Sequence, residues 1–187
     1  MNSSPFSAER ARDALKTNAA GRLFLRLLSL LYTAVIVGRK RLYDLGLLRR
    51  RRLPLPVICF GNISSGGTGK TSTVVAVAKE LAASGRKPAI LIRGYRRAAR
   101  ASSVTVLAKG RSFTLAQTGD EALMLYRMLE DAGVPVLVSS DRYAAGLQAL
   151  KLGADILLMD DGFQHFALQR DADIVLINAT APFFADQ

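Results

Sequence analysis

From Leu53 onward the chain alternates short, nearly continuous apolar runs with longer amphipathic stretches. The runs PVICF (56–60), PAILI (88–92), SVTVL (103–107), VPVLV (134–138), DILLM (155–159) and DIVLI (173–177) predict strands. Most lack the apolar–polar alternation of a half-solvated strand, so they predict strands buried on both faces. The stretches 70–84, 119–132 and 141–152 carry helical periodicity. Strands separated by helices predict an α/β fold with a doubly wound, mostly parallel sheet. In such sheets ligands sit outside the carboxyl ends of the strands.

The pattern before Leu53 is different. From Leu23 to Val37 nearly every residue is apolar, the exceptions being Arg26, Ser29 and Thr33. With Arg22 they fall at i, i+4, i+7 and i+11, a single polar stripe on a helix. A spanning helix needs about 20 apolar residues, and this run is shorter and holds an arginine. A secretory signal would end in a small-residue cleavage site, whereas Gly38-Arg39-Lys40-Arg41 follows here. An amphipathic helix lying in a membrane interface, flanked by cations, accounts best for the pattern. The plainer alternative is a helix packed on its own domain, but the apolar arc is wider than one protein face. Residues 1–52 are therefore expected to be a membrane-associating segment, and 53–187 a separate globular domain.

Charge sharpens this division. The 187 residues carry a formal net charge of +11. Residues 1–52 contain 12 Lys/Arg against 3 Asp/Glu, and the remainder is nearly balanced. A basic segment of this kind seeks an anionic surface. The run Arg49–Arg52 would serve a membrane leaflet at about 1 kcal/mol per cation. Nucleic acid is the rival partner, but no aromatic residues are interleaved for base stacking. The single cysteine, Cys59, excludes an internal disulfide and sits in an apolar run, as a buried inert thiol does. No Cys/His cluster has zinc spacing.

Three stretches carry candidate chemistry. After the first strand comes SSGGTGKT, Ser64 to Thr71. The phosphate-loop pattern is G-x-x-x-x-G-K-[ST]. Gly69, Lys70 and Thr71 match it, and Ser64 stands where the first glycine belongs. The remaining glycines still allow the backbone N–H groups of Ser65, Gly66, Gly67, Thr68 and Gly69 to converge on phosphate oxygens. The helix that follows points its positive end at the same place. Lys70 would reach the β- and γ-phosphates, and the Thr71 hydroxyl would bind Mg²⁺. The fold expected is thus a phosphate-loop NTPase-like one. A second stretch, DILLMDDGFQH, ends a strand in Asp160-Asp161, which is how such proteins hold Mg²⁺ from a neighbouring strand. Which of the two binds the ion directly is open. The third, TGDEALML, puts Asp120 and Glu121 at a helix start, where acidic residues also occur simply to suit the helix dipole. His165 has three open roles: ordering the Asp pair, contacting substrate, or satisfying a structural bond.

GNISSGGTGKT, RGYRR, GDEALML, SSDRYAAG and DDGFQHFALQRDADIVLINA together resemble the tetraacyldisaccharide 4'-kinases of Gram-negative bacteria, in order and in spacing. The similarity runs from about Leu23 to Phe183, and DDGFQH followed by L-x-RD is its most specific part. The resemblance implies an enzyme that uses ATP and Mg²⁺ to phosphorylate the 4'-hydroxyl of a tetraacylated glucosamine disaccharide 1-phosphate, giving lipid IVA in lipid A biosynthesis. It implies a monotopic protein on the cytoplasmic face of the inner membrane, docked on the lipid surface by the N-terminal helix. It assigns Lys70 and Thr71 to nucleotide and metal, and Asp160 and Asp161 to the metal. It makes Asp120 the base for the sugar hydroxyl, with Glu121 beside it. Gln164, His165 and Tyr95 fall near the active site. Family members continue past the PF at 182–183 into a second domain, whereas this chain reads APFFADQ to Gln187. The expectation is a weak or inactive kinase alone, either a truncated or frameshifted product or half of a split enzyme whose second domain a partner chain supplies. The alternative is a membrane-recruited ATPase switch of the ParA/MinD type. That family places a lysine before the double glycine where this chain has Ser65, and it lacks DDGFQH.

Overall fold

The computed structural model describes residues 19–62, 69–94, 103–111 and 113–179. The chain forms two units, one up to Leu48 and one from Arg49. The first contains a single helix, α1 (Ala19–Asp44). It is longer at both ends than the apolar run that predicts it, and Lys40 and Asp44 form an i,i+4 ion pair in its last turn. At 26 residues it is long and apolar enough to cross a membrane by length and composition. Leu23, Leu30, Leu31 and Val35 are all exposed around its circumference.

The second unit is a six-stranded sheet. Its elements in chain order are β1 (Val57–Asn62), α2 (Lys70–Ala83), β2 (Pro88–Ile92), β3 (Thr105–Leu107), α3 (Leu115–Thr118), α4 (Asp120–Leu129), β4 (Val136–Val138), α5 (Arg142–Lys151), β5 (Ile156–Asp160) and β6 (Ala172–Leu176). The spatial order is β3-β4-β2-β5-β1-β6. All neighbours are parallel except β3, which runs antiparallel to β4 at one edge. The α/β architecture expected from the apolar runs is the one found. Two of the runs are paired over only three residues each, β3 and β4.

The central strands are buried on both faces, as their unbroken apolar character demands. One face packs Phe60, Ile90 and Leu158 against Val74 and Ala78 of α2 and Leu125 and Leu129 of α4. The other packs Cys59, Leu91 and Leu157 against Ala145 and Ala149 of α5 and against Leu53. The β6 strand departs from the expected burial. It pairs with β1 along one side only, and Ile174, Val175 and the adjacent Ile177 are exposed. Its sequence is that of an inner strand, but its position is at an edge.

The cationic run before β1 is partly engaged by the domain. The Arg51 backbone bonds with Ala167 and Gln169, and its guanidinium stacks 5.1 Å over the Tyr143 ring and pairs with Asp141. Arg52 pairs with Asp171. Two of the four cations read from sequence as free for a membrane thus already face carboxylates of their own domain.

Candidate active site

The candidate site lies at the carboxyl ends of β1 and β5, where adjacent parallel strands deliver their last side chains to one place. Asn62 ends β1, and Asp160 ends β5 with Phe60 as its register partner. Between strand and helix, Gly69 takes a φ of +74°, a left-handed conformation that a glycine adopts without strain, and α2 starts at the next residue. The first two residues of α2 are Lys70 and Thr71, so both side chains leave the helix at its positive end.

Both are bound to the acidic pair. The Lys70 ammonium donates to Asn62 Oδ1 at 2.8 Å and pairs with Asp161 Oδ1 at 2.7 Å. The Thr71 hydroxyl donates to Asp160 Oδ2 at 3.3 Å. The two sequence-predicted stretches, more than eighty residues apart, therefore meet side chain to side chain. Asn62 was not anticipated. The signal for it is a polar residue closing an otherwise apolar strand just before the loop.

The two aspartates sit in different surroundings. Asp160 is 2% exposed, whereas the Asp161 side chain is largely open to solvent. Burial pushes the Asp160 carboxyl up to about 6 from 3.8, and the nearby Glu121 carboxylate pushes the same way. The Lys70 ammonium and the Thr71 hydroxyl pull it down without offsetting the rise. Asp161 has φ +53°, the one positive value at a non-glycine among the described residues. Such strain persists only where surrounding contacts impose it.

Those contacts come from the rest of the DDGF…RD signature. Gly162 packs so closely that a Cβ there would lie 2.6 Å from Met159 Cε and 2.8 Å from Cys59 Sγ. The Phe163 ring covers Gly61, where a Cβ would lie 2.5 Å from the ring. The Arg170 guanidinium donates to the carbonyls of Gly162 and Phe163 at 3.1 and 3.2 Å and is held by Asp173. Asp171 accepts from the Val57 amide at 2.8 Å, fixing the turn to the start of β1. The later half of the signature thus clamps the turn that presents Asp161. Sequence reasoning found the motif and missed this role of Arg170 and Asp171. Gln164 and His165 lie on the same turn, Gln164 exposed and His165 half-buried, with the His165 amide bonded to the Gly162 carbonyl.

At the helix start expected from TGDE, Gly119 separates the short α3 from α4, whose first residues are Asp120 and Glu121. The Glu121 charge acts on Asp160. Asp120 instead lines a groove along the outer side of α4. Arg142 was also unforeseen. It begins α5 inside the SSDRYAAG stretch, is 3% exposed, and donates through Nη1 to the Ser139 carbonyl. Burial lowers it to about 10, and the Arg93 cation at the end of β2 lowers it further. The carboxylates of Asp161 and Asp160 act in the opposite direction. The expectations for Ser64, Ser65, Gly66, Gly67, Thr68 and Tyr95 lie outside the described residues.

Two carboxylates and one hydroxyl are a hard-oxygen donor set. Among the described residues no three His, Cys, Asp or Glu side chains group to hold a metal on their own. That arrangement fits Mg²⁺, which takes one or two protein carboxylates and fills its octahedron with phosphate oxygens and water. It does not fit an ion that requires an all-protein cage.

A lysine and a hydroxyl residue opening a helix, facing an acidic strand end in a parallel sheet, define a phosphate-loop nucleotide-handling protein. Comparison with known proteins narrows the class. The family model for tetraacyldisaccharide-1-P 4'-kinase, LpxK, matches residues 21–187. The tetraacyldisaccharide 4'-kinase of Elusimicrobium minutum is 42% identical over 96% of this chain and 48% of its own length. That of Acidovorax sp. is 43% identical over 91% of this chain and 49% of its own length. Among solved structures, LpxK from Aquifex aeolicus in complex with ATP superposes with a TM-score of 0.75 at 37% identity, covering 85% of this chain and 50% of that one. The chain belongs to the tetraacyldisaccharide 4'-kinase family. It spans about half the length of the curated relatives it matches. Family membership sets aside the ParA/MinD-type reading.

Proposed function

We propose that this chain carries the nucleotide half of an ATP-dependent lipid kinase. Its acceptor is the 4'-hydroxyl of tetraacyldisaccharide 1-phosphate, and the product is lipid IVA in lipid A biosynthesis. The observation that carries the reading is the Lys70–Asp161 and Thr71–Asp160 pairing at the start of α2. Lys70, already oriented by Asn62, exchanges a carboxylate for phosphate oxygens when ATP enters. Mg²⁺, held by Thr71, Asp160 and Asp161, would neutralise charge on the β- and γ-phosphates. The phosphate-loop pattern Ser64–Gly69 supports backbone donation to the phosphates, and the family resemblance supports roles near the nucleotide for Tyr95, Gln164 and His165. Asp120 takes the proton of the attacking hydroxyl, and positioning supplies most of the remaining acceleration.

The exposed β6 edge supports a second component of the proposal. A parallel strand of inner-strand composition at an open edge calls for cover, and the relatives have a further half to provide it. The second half, in the same polypeptide or as a partner chain, completes the cleft. The α1 helix supports docking at the cytoplasmic face of the inner membrane, since a four-chain lipid leaves a bilayer only at great cost. A detergent-micelle assay with labelled ATP and the lipid acceptor tests the reading, run with and without the second half of the Elusimicrobium minutum relative. Transfer that depends on the added half is expected. Robust transfer by this chain alone overturns the need for a partner. No transfer in either arm, with no MgATP binding by calorimetry, overturns the kinase reading.

A further inference from the structure

The segment that leads into β1 is fastened to the domain on two sides. On one side the Arg51 amide donates to the Ala167 carbonyl at 2.8 Å, and the Arg51 carbonyl accepts from the Gln169 amide at 2.8 Å. Together these make a parallel bridge beside Leu168. On the other side the Arg51 guanidinium lies 5.1 Å over the Tyr143 ring and 3.7 Å from Asp141 Oδ2. Asp141 is itself fixed, because its Oδ1 caps α5 by accepting from the Tyr143 and Ala144 amides. Two residues on, buried Leu53 packs so closely on Gly146 of α5 that no Cβ fits there. Residues 51–53 thus form a strap that ties α5 to the returning limb of the turn that begins at Asp161.

We infer that Arg51 is a positioning residue of the nucleotide site, acting on Asp161 through that limb. The inference rests on the kinase reading and adds to it a residue that touches neither nucleotide nor metal. A continuous set of contacts carries it. Asp161 pairs with Lys70, and the next two carbonyls, of Gly162 and Phe163, are held by Arg170. A guanidinium can hold two carbonyls in place only if its own backbone is fixed. Arg170 stands between Gln169, bonded to the Arg51 carbonyl, and Asp171, whose amide and carboxylate both bond Val57. Both flanks are therefore anchored on the segment 51–57. Buried Leu168 joins Leu53 and Cys59 in one apolar cluster and supports the limb from the core side. Two hydrogen bonds make up the whole bridge, and so short a pairing depends on the side chains around it. The Arg51 side chain supplies that support. A planar cation stacked on an aromatic ring and facing a carboxylate is an arrangement that lysine reproduces only in its charge.

Arg51→Ala tests the inference, with Lys151→Ala at the far end of α5 as the control for loss of one cation. The Arg51 side chain is 56% exposed, so its removal opens no cavity and the variant folds, which circular dichroism verifies. The whole chain in detergent micelles is used for calorimetry with MgATP and for hydrogen exchange without nucleotide. Binding to vesicles of equal parts phosphatidylcholine and phosphatidylglycerol is measured by cosedimentation. Arg51→Ala should weaken MgATP binding about tenfold, the lower end for residues that orient a metal site. It should also speed exchange at the Gln169 and His165 amides, which bond the Arg51 and Gly162 carbonyls. Arg51→Lys should recover part of both effects. Exchange in β2 and β5, and vesicle binding, should match Lys151→Ala. Unchanged MgATP binding together with lost vesicle binding assigns Arg51 to the membrane and overturns the inference. Exchange that quickens throughout the sheet makes the contact merely structural and also overturns it. The two claims fail separately. Wild-type MgATP binding that Arg51→Ala leaves intact removes the role of Arg51 alone. A wild type that binds no MgATP, with exchange still quickened at Gln169 and His165 in the variant, removes the kinase reading alone.

Discussion

Replacing Asp160 by Asn should stabilise the nucleotide-free protein at neutral pH, although it removes a residue central to the proposed chemistry. Asp160 is almost fully buried, and its carboxyl is raised from 3.8 to about 6, first by burial and then by Glu121. A carboxylate whose folded-state pKa lies above its unfolded value opposes folding once ionised. Below about pH 4 both states are protonated and the penalty is absent. It grows as pH rises and is complete above about pH 6. The shift of about 2 units corresponds to roughly 3 kcal/mol. That is a large fraction of the 5–15 kcal/mol typical of a domain. Asn keeps the shape and an acceptor for the Thr71 hydroxyl, and it carries no charge to desolvate. Urea unfolding in EDTA, followed by circular dichroism from pH 4 to 8, measures the effect. The readout is the wild-type-minus-variant difference, because other groups titrate in both proteins. It should widen in favour of Asp160→Asn by about 1–3 kcal/mol between pH 4 and pH 7. Saturating MgATP should reverse the order, since only the wild type gains binding free energy at that site. A difference that stays constant from pH 4 to 8 would refute the reasoning.

Three further outcomes follow from the same geometry. Glu121→Gln should lower the midpoint of the Asp160-dependent pH transition, and Asp120→Asn should leave it in place; the same unfolding series reads both. Arg170→Ala removes the clamp on the Gly162 and Phe163 carbonyls and leaves Asp173 unpaired, so it should cost roughly 2–3 kcal/mol in urea unfolding, with Arg170→Lys recovering only part. Cys59, pushed up to about 11 chiefly by burial, should resist a disulfide reagent at pH 8 in the native protein and react within minutes in urea; fast native labelling would contradict the packing against Gly162.

Much of the sheet is legible in the apolar runs, because a strand buried on both faces leaves an unbroken hydrophobic signature. What those runs cannot express is position within the sheet. The β6 strand reads like β5, yet one is central and the other at an edge, since strand order depends on crossovers that local pattern does not encode. Helix 119–132 likewise reads as one element, while the structure ends it at Leu129 and places a separate turn of helix before Gly119. At the candidate site, Lys70, Thr71, Asp160 and Asp161 are legible because a phosphate-loop pattern and an acidic pair closing an apolar strand both stand out in sequence, and the structure brings the four side chains together. Asn62, Arg142 and Arg170 are not. Each works through contacts with residues far away in sequence, and a lone Asn or Arg carries no periodicity to announce it. The run Arg49–Arg52 shows what charge alone does not express. Four adjacent cations suggest one shared partner, yet Arg51 and Arg52 are directed to Asp141 and Asp171 by the chain's path into β1.

The acidic groups of the site are better understood as a division of labour than as a cluster. If Asp120, Glu121, Asp160 and Asp161 all faced one point, their mutual repulsion would raise several pKa values together and favour protonation over metal binding. The fold limits this in two ways. Asp160 is buried at a strand end, while Asp161, its neighbour, is turned by a left-handed backbone into solvent and onto Lys70. Asp120 and Glu121 are split by the pitch of α4, one into the groove and one toward Asp160. Burial raises the Asp160 carboxyl, and Asp160 is the one with the Thr71 hydroxyl beside it. Above about pH 6 the Asp160 carboxyl is ionised, and a divalent cation held there would offset part of the desolvation penalty already present in the free protein. The left-handed Asp161 and the buried Asp160 thus form one acidic strand end facing Lys70 and Thr71. The Arg170 clamp, Gly162 and the Phe163–Gly61 contact hold it in place before any nucleotide arrives.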